Sequence, residues 1–157
     1  MEKDKLSTEE IIRRYKPDTE KLMRYLPYFD GKRSNEVSYL YKESGGGANG
    51  IAFPVYEPTL LSFVNEAKNT VFIDRNYRYI YTRNSIRTHK DEWQMIEKAT
   101  ITDMDVLGGI LSKYVLEGMT KGRMWVEAVE FEIFYRVIEK ARELIFFWDK
   151  EKEQQGR

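Results

Sequence analysis

Residues 122–152 read GRMWVEAVEFEIFYRVIEKARELIFFWDKEK. Phe131, Phe134, Ile138, Ala141, Ile145 and Trp148 step by three or four, the spacing that stacks side chains along one face of an α-helix. Val126, Val129, Ile133, Val137 and Leu144 form a second row beside the first, and Tyr135, Phe146 and Phe147 widen the apolar face further. A face that wide suits a helix packed against several neighbours. Neither Pro nor Gly interrupts it after Gly122, so the stretch reads as one helix of about eight turns. Each large apolar side chain it buries contributes roughly 1.5–3 kcal/mol, which makes it the main source of core. The same stripe has the form of a dimer seam, and Phe146, Phe147 and Trp148 near its end suggest a homodimer through this helix.

Around this helix the composition sets limits. A chain of 157 residues suggests a single domain, 1–157, with 1–6 and 153–157 frayed. Lys plus Arg equals Asp plus Glu at 26 each, so global charge points to neither a polyanion nor a membrane. The absence of Cys excludes disulfides, thiolate metal sites and Cys nucleophiles. Met1–Thr8 is charged and has no apolar leader core, and no apolar run approaches the length of a membrane span. The expectation is a cytoplasmic protein with no membrane contact and no cofactor.

Working back to the N-terminus, Ser7-Thr8-Glu9-Glu10 has the form of a capping box. It predicts a short helix through Tyr15, with a restart at Pro17-Asp18 that carries Leu22, Met23 and Leu26. Glu36–Lys42 alternates and Ile51–Tyr56 carries an edge-type Pro54, so the two predict an antiparallel hairpin with a Gly-rich tip. Leu60, Leu61, Phe63 and Val64 mark a short helix. Thr70–Ile73 and Tyr77–Thr82 flank the turn-like Asp74-Arg75-Asn76 and predict a second hairpin. A helix over 85–98, with 83–91 alternatively loop, leads to another that Thr102 caps. Gly108-Gly109 inside that helix suggests close backbone packing. The fold class expected is α+β: a small antiparallel sheet of about four strands, covered by helices, with the long C-terminal helix at the centre.

Sequence signals for chemistry are few. The run Gly45-Gly46-Gly47-Ala48-Asn49-Gly50 lacks the Lys-Ser/Thr ending of a phosphate loop and leads into a strand, not a helix. His89 is the single histidine and reads as a surface residue in a polar loop. No metal-ligand spacing and no nucleophile elbow is present. Glu127 and Glu130 share a helix face and could form a general acid/base pair, although a solvated acidic face is the preferred reading of them.

The most uneven stretch is 71–90, where Arg75, Arg78, Arg83, Arg87 and Lys90 face a single acid, Asp74, among Phe72, Tyr77, Tyr79 and Tyr81. Cations with interleaved aromatics suit phosphates and bases. Arg75, Arg78, Arg83, Arg87, Lys90 and Tyr79 are therefore the candidate surface for a polyanion or a protein partner. The competing account packs the tyrosines, on one strand face, into the core.

The segments Leu26-Pro27-Tyr28-Phe29, Phe53-Pro54-Val55-Tyr56, Thr102-Asp103-Met104-Asp105-Val106-Leu107, and Gly122-Arg123 opening a helix with Glu130 together resemble, in their order, an uncharacterised bacterial domain family of unknown function. The likeness spans roughly 22–144. It implies one bacterial domain and brings no activity, cofactor or catalytic residue with it. The functional expectation is a non-enzymatic binding or regulatory module with an unknown protein partner. The alternatives are a nucleic-acid binder using the 71–90 stretch and a carboxylate-based enzyme.

Overall fold

The computed structural model of the chain describes residues 6–31, 38–42 and 52–155, with side-chain surroundings for 6–31 and 56–147. Among them are eight α-helices: α1 (Thr8–Met23), α2 (Leu26–Phe29), α3 (Pro58–Ala67), α4 (Tyr77–Arg83), α5 (His89–Lys98), α6 (Met104–Glu117), α7 (Arg123–Glu130) and α8 (Ile133–Gln155). The expected α+β class, with a four-stranded sheet under helices, is overturned. The body is all-helical, and the one antiparallel ribbon among the described residues pairs β1 (Ser38–Lys42) with β2 (Ala52–Tyr56). Pro54 lies opposite Leu40 in that ribbon, which among the described residues has two strands. The predicted Gly-rich tip falls outside the described residues.

The core is built on α6 and α8. Helix α6 packs on α4, α5, α7 and α8, and α8 packs on α1, α2, α5, α6 and α7. Leu107, Ile110, Leu111, Tyr114 and Val115 of α6 are sealed from solvent, as are Ile133, Phe134, Val137, Ile138, Ala141 and Ile145 of α8. From Phe134 to Ile145 the predicted stripe is thus the buried face; Phe131 is half-buried, and the Trp148 side chain lies outside those described. Phe134 also joins an aromatic knot with Phe29 of α2 and Phe63 of α3, with ring centroids 4.7–5.6 Å apart. The Phe29–Phe63 pair is edge-to-face and the two pairs with Phe134 are tilted, contacts that add to the area the rings bury.

The long helix is not single. Residues 123–130 and 133–155 are separate helices, and the corner between them is Phe131-Glu132. Glu132 has φ 59°, in the left-handed region, and its N–H bonds the Val129 carbonyl at 3.1 Å. A glutamate there resists sequence reading because the position ordinarily takes Gly. Two contacts hold the corner: the Trp93 indole donates to the Phe131 carbonyl at 2.8 Å, and the His89 ring stacks on that of Phe131.

The second predicted hairpin is likewise absent. Residues 68–76 form a turn clamped onto α6, and 77–83 are helical. The Val71 N–H donates to Asp18 and the Asp74 N–H to Ser112, each at 2.8 Å. Gly108 lets the clamp close, since a Cβ there would lie 2.4 Å from the Phe72 carbonyl oxygen. At Gly109 the intruding group would be the Ile80 side chain of α4. The glycine pair therefore does the packing its sequence suggested. The tyrosines of α4 belong to the residues that favour strands, but the groove left by the two glycines accepts a helix, and tertiary packing overrides so weak a preference.

Helix α4 ends in a Schellman motif. The Ile86 N–H bonds the Tyr81 carbonyl at 2.9 Å and the Ser85 N–H bonds that of Thr82 at 3.2 Å, with Ser85 at φ 55°. At the N-terminus the capping box on Ser7 and Glu10 forms as expected, but α1 then runs through Pro17 without a restart. The cap that opens the route into α6 is Thr100, paired with Asp103 over a 3₁₀ turn, not Thr102.

A buried carboxylate network and the cleft above it

Thr88 and Asp91 cap each other reciprocally at the start of α5, with 3.1 and 3.2 Å between hydrogen-bonded atoms. This fixes His89 as the first helical residue and sets Glu92 and Ile96 on the same face. Ile96 enters the core, and Glu92 follows it at 2% exposure. An unpaired buried carboxylate would be costly, and three helices supply its partners. The Tyr81 hydroxyl of α4 donates to Glu92 Oε2 at 2.5 Å. The Tyr114 hydroxyl of α6 donates to Oε1 at 2.7 Å. His89 Nδ1 meets Oε1 at 2.8 Å, and its Nε2 reaches Glu127 Oε1 of α7 at 2.8 Å. Lys113 Nζ stands 3.9 Å from Oε2 and lies over the rings of Tyr81 and Tyr114, 4.8 and 5.3 Å from their centroids.

Both His89 nitrogens face carboxylate oxygens, and the Tyr114 hydroxyl also lies 3.2 Å from Nδ1. Burial first, and the negative charge of Glu92 second, push the Tyr81 and Tyr114 phenols far above their ordinary value. Both stay neutral donors.

His89 is thus not a loop histidine on the surface. It is 28% exposed and ties α5 to α7. Glu127 is engaged by it while Glu130 is solvent-exposed, so the two glutamates do not act as a pair. The Thr88-His89-Lys90-Asp91 pattern was the signal available: a Thr-x-x-Asp cap places residues 89, 92 and 96 on one inward face. Among the described residues no cluster of three or more His, Asp or Glu is disposed to hold a metal.

The candidate partner surface is arranged around α4. Tyr79 is 58% exposed, and the Arg83 guanidinium sits 5.8 Å from its ring centre while bonding Asp105 at 3.3 Å. Arg78 emerges on the other flank of α4, where it lines a cleft with Lys113 and Glu117 of α6. Arg75, in the preceding turn, and Arg87 and Lys90, about the start of α5, are exposed. Tyr77 is buried, and Tyr81 turns toward Glu92. On a helix Tyr77 and Tyr81 stay on one face, four residues apart, while Tyr79 turns away to solvent, so the strand face expected to carry all three does not exist.

No protein-family model matches the chain, and neither a curated protein nor a solved structure is significantly similar to it. No helix among the described residues is long and apolar enough to cross a membrane.

Proposed function

We propose that this chain is a non-enzymatic binding module of the cytoplasm whose contact surface is the solvent side of α4 with the segments at its two ends, and whose partner is acidic. The observation that carries the reading is Tyr79: a large ring, more than half exposed, in a stretch where Arg75, Arg78, Arg83, Arg87 and Lys90 are the cations. An exposed aromatic beside cations can stack on or cover a partner group at little ordering cost. An enzyme built on Glu92 is disfavoured, because its two oxygens already accept from Tyr81, Tyr114 and His89 beneath the surface. No other carboxylate is held in so dry a setting among the described residues.

The test is a fluorescence-anisotropy titration of labelled poly-glutamate and of labelled oligothymidylate at several salt concentrations, with the parent chain and with a triple Arg75→Ala, Arg78→Ala, Arg87→Ala variant. Binding that weakens with salt and falls in the variant supports the reading. A nucleic-acid partner would show a log–log salt slope of about −0.7 per phosphate contacted. Absence of binding to either probe at low salt, or equal binding by the variant, defeats it.

A further inference from the structure

The start of α1 and the 3₁₀ turn before α6 (Ile101–Asp103) border a cleft of about 460 Å³. Ligand sites span about 300–1,000 Å³. Ile11, Ile101 and Met104 give it buried apolar walls, and Leu6, 43% exposed, lines it as well. Two carboxylates stand among them, and both are engaged nearby. Asp103 Oδ2 accepts from the Thr100 N–H at 2.9 Å and from its hydroxyl at 3.1 Å. Asp105 Oδ2 meets Arg83 at 3.3 Å. Tyr15 differs from them. It lines the cleft at 8% exposure, with its ring against Phe72, 5.1 Å between centroids. Its hydroxyl bonds no described residue and is not among the polar atoms sealed in the core, so the cleft is where it emerges. Burial raises this phenol above its ordinary value, against the pull of Arg14, and it stays a protonated donor.

We infer that this cleft is a binding site for a small neutral molecule with an apolar body and one hydroxyl or carbonyl group, which accepts from the Tyr15 hydroxyl. The walls of Leu6, Ile11, Ile101 and Met104 take the body, since apolar surface moved from water onto them is stabilising. A polar group so deep in the fold ordinarily has a partner, and a single donor asks for a single acceptor. An acid would meet the Asp103 and Asp105 carboxylates. A cation is not called for either, because Thr100 and Arg83 already occupy those two groups. The site goes beyond the contact surface proposed for α4: no residue of that surface lines the cleft, and Arg83 reaches it only through Asp105.

The probes are 2-phenylethanol, 2-phenylethylammonium and 3-phenylpropanoate, which share a ring and differ in charge. Each is added to ¹⁵N-labelled chain and followed through amide shifts. The alcohol is expected to shift Ile11, Tyr15, Ile101 and Met104 saturably at concentrations on the order of 10 mM or below. The ammonium should bind no more tightly than the alcohol, and the carboxylate about ten-fold more weakly or not at all. Tyr15→Phe removes the hydroxyl alone; it should weaken the alcohol about three- to ten-fold and leave the melting temperature unchanged. Thr102→Trp, at an exposed position on the lining, should block the cleft without touching the core. Poly-glutamate binding by both variants should match the parent, which separates failure here from failure of the contact surface. The inference falls if the alcohol gives no saturable shift at these residues, or if either variant binds it as tightly as the parent. It falls equally if Tyr15→Phe melts lower, which would mean that the hydroxyl is already partnered, or if the ammonium or the carboxylate binds more tightly than the alcohol.

Discussion

The imidazole of His89 lies nearly parallel to the ring of Phe131, 3.8 Å between centroids and 17° between planes. The stack joins the first residue of α5 to the corner between α7 and α8, so one histidine serves both the carboxylate network and the break in the C-terminal stripe. The break leaves Glu132 in the left-handed region, which costs a non-glycine residue on the order of 1 kcal/mol. Glu132→Gly should therefore raise stability by up to about 1 kcal/mol in urea unfolding, and Glu132→Val, β-branched at the same φ, should lower it. A loss of stability in the glycine variant would mean that the glutamate side chain, not the corner, matters there.

Removing Glu92 tests the network itself. Glu92→Ala strands the Tyr81 and Tyr114 hydroxyls and one side of His89, and breaking a buried ionic cluster from one side costs about 3–5 kcal/mol. His89→Ala should cost less, about 1–3 kcal/mol, because Glu127, 34% exposed, can turn to water. Equal effects of the two substitutions would show that the stack on Phe131 outweighs the hydrogen bonds.

The tyrosines set an alkaline limit. Tyr81 and Tyr114 are raised, by burial and then by Glu92, from an ordinary 10.0, and Tyr28 is raised by burial and then by Glu57. Folding favours their neutral forms, so the stability they lend is fully present below pH 10 and is lost as pH climbs above it toward the folded values. Each contributes up to about 1.4 kcal/mol per pH unit in that range. Urea midpoints between pH 8 and 11 should fall above 10. Tyr81→Phe should make the decline shallower.

Much of the fold was legible, and what was not shares a cause. The spacing of Phe134, Ile138, Ala141 and Ile145 identified the buried face of α8, and the Ser7–Glu10 box located the start of α1. The two helix ends missed after α4 and α7 are closed by Ser85 and Glu132, both at positive φ, where a sequence reader looks for Gly. Their conformations are set by contacts from far along the chain, such as the Trp93 bond to Phe131. The alternation of Tyr77, Tyr79 and Tyr81 has the strand period, but the groove at Gly108 and Gly109 accepts only a helix's spacing. The network stayed hidden because Tyr81, Glu92, Tyr114 and Glu127 sit on four helices, and only the Thr88–Asp91 cap hinted at the inward turn of His89 and Glu92.

The glycine pair separates backbone from side-chain crowding. Gly108→Ala drives a methyl to 2.4 Å from a carbonyl oxygen of the main chain, and the 68–76 turn must lift from α6. Overpacking of that kind costs about 1–3 kcal/mol, more than the roughly 1 kcal/mol that Ala gains over Gly within a helix. Gly109→Ala meets the Ile80 side chain instead, which can rotate, so its net effect should be smaller. Thermal melts of the two variants check the order. Equal melting temperatures would mean that the turn is not tightly held, and then Ser112→Ala, which removes the acceptor of the Asp74 N–H, should also be silent.

The tyrosines of α4 divide by role, and substitution can separate them. Tyr79 is exposed and packs only with Arg83 in the described contacts, so Tyr79→Ala should leave the melting temperature within about 1 °C, the effect of a surface change of a few tenths of a kcal/mol. If the solvent face of α4 binds an acidic partner, the same substitution should weaken that binding; a ring stacked on bases would account for about 1–3 kcal/mol. Tyr81→Phe behaves oppositely: it removes the donor to Glu92 Oε2 and should destabilise by about 1–2 kcal/mol, with any partner binding by the folded chain unchanged. Calorimetry and anisotropy on both variants give four numbers, and the reading requires the two effects to fall on different tyrosines. If Tyr79→Ala lowers the melting point as much as Tyr81→Phe does, Tyr79 is a packing residue and the contact surface loses its main support.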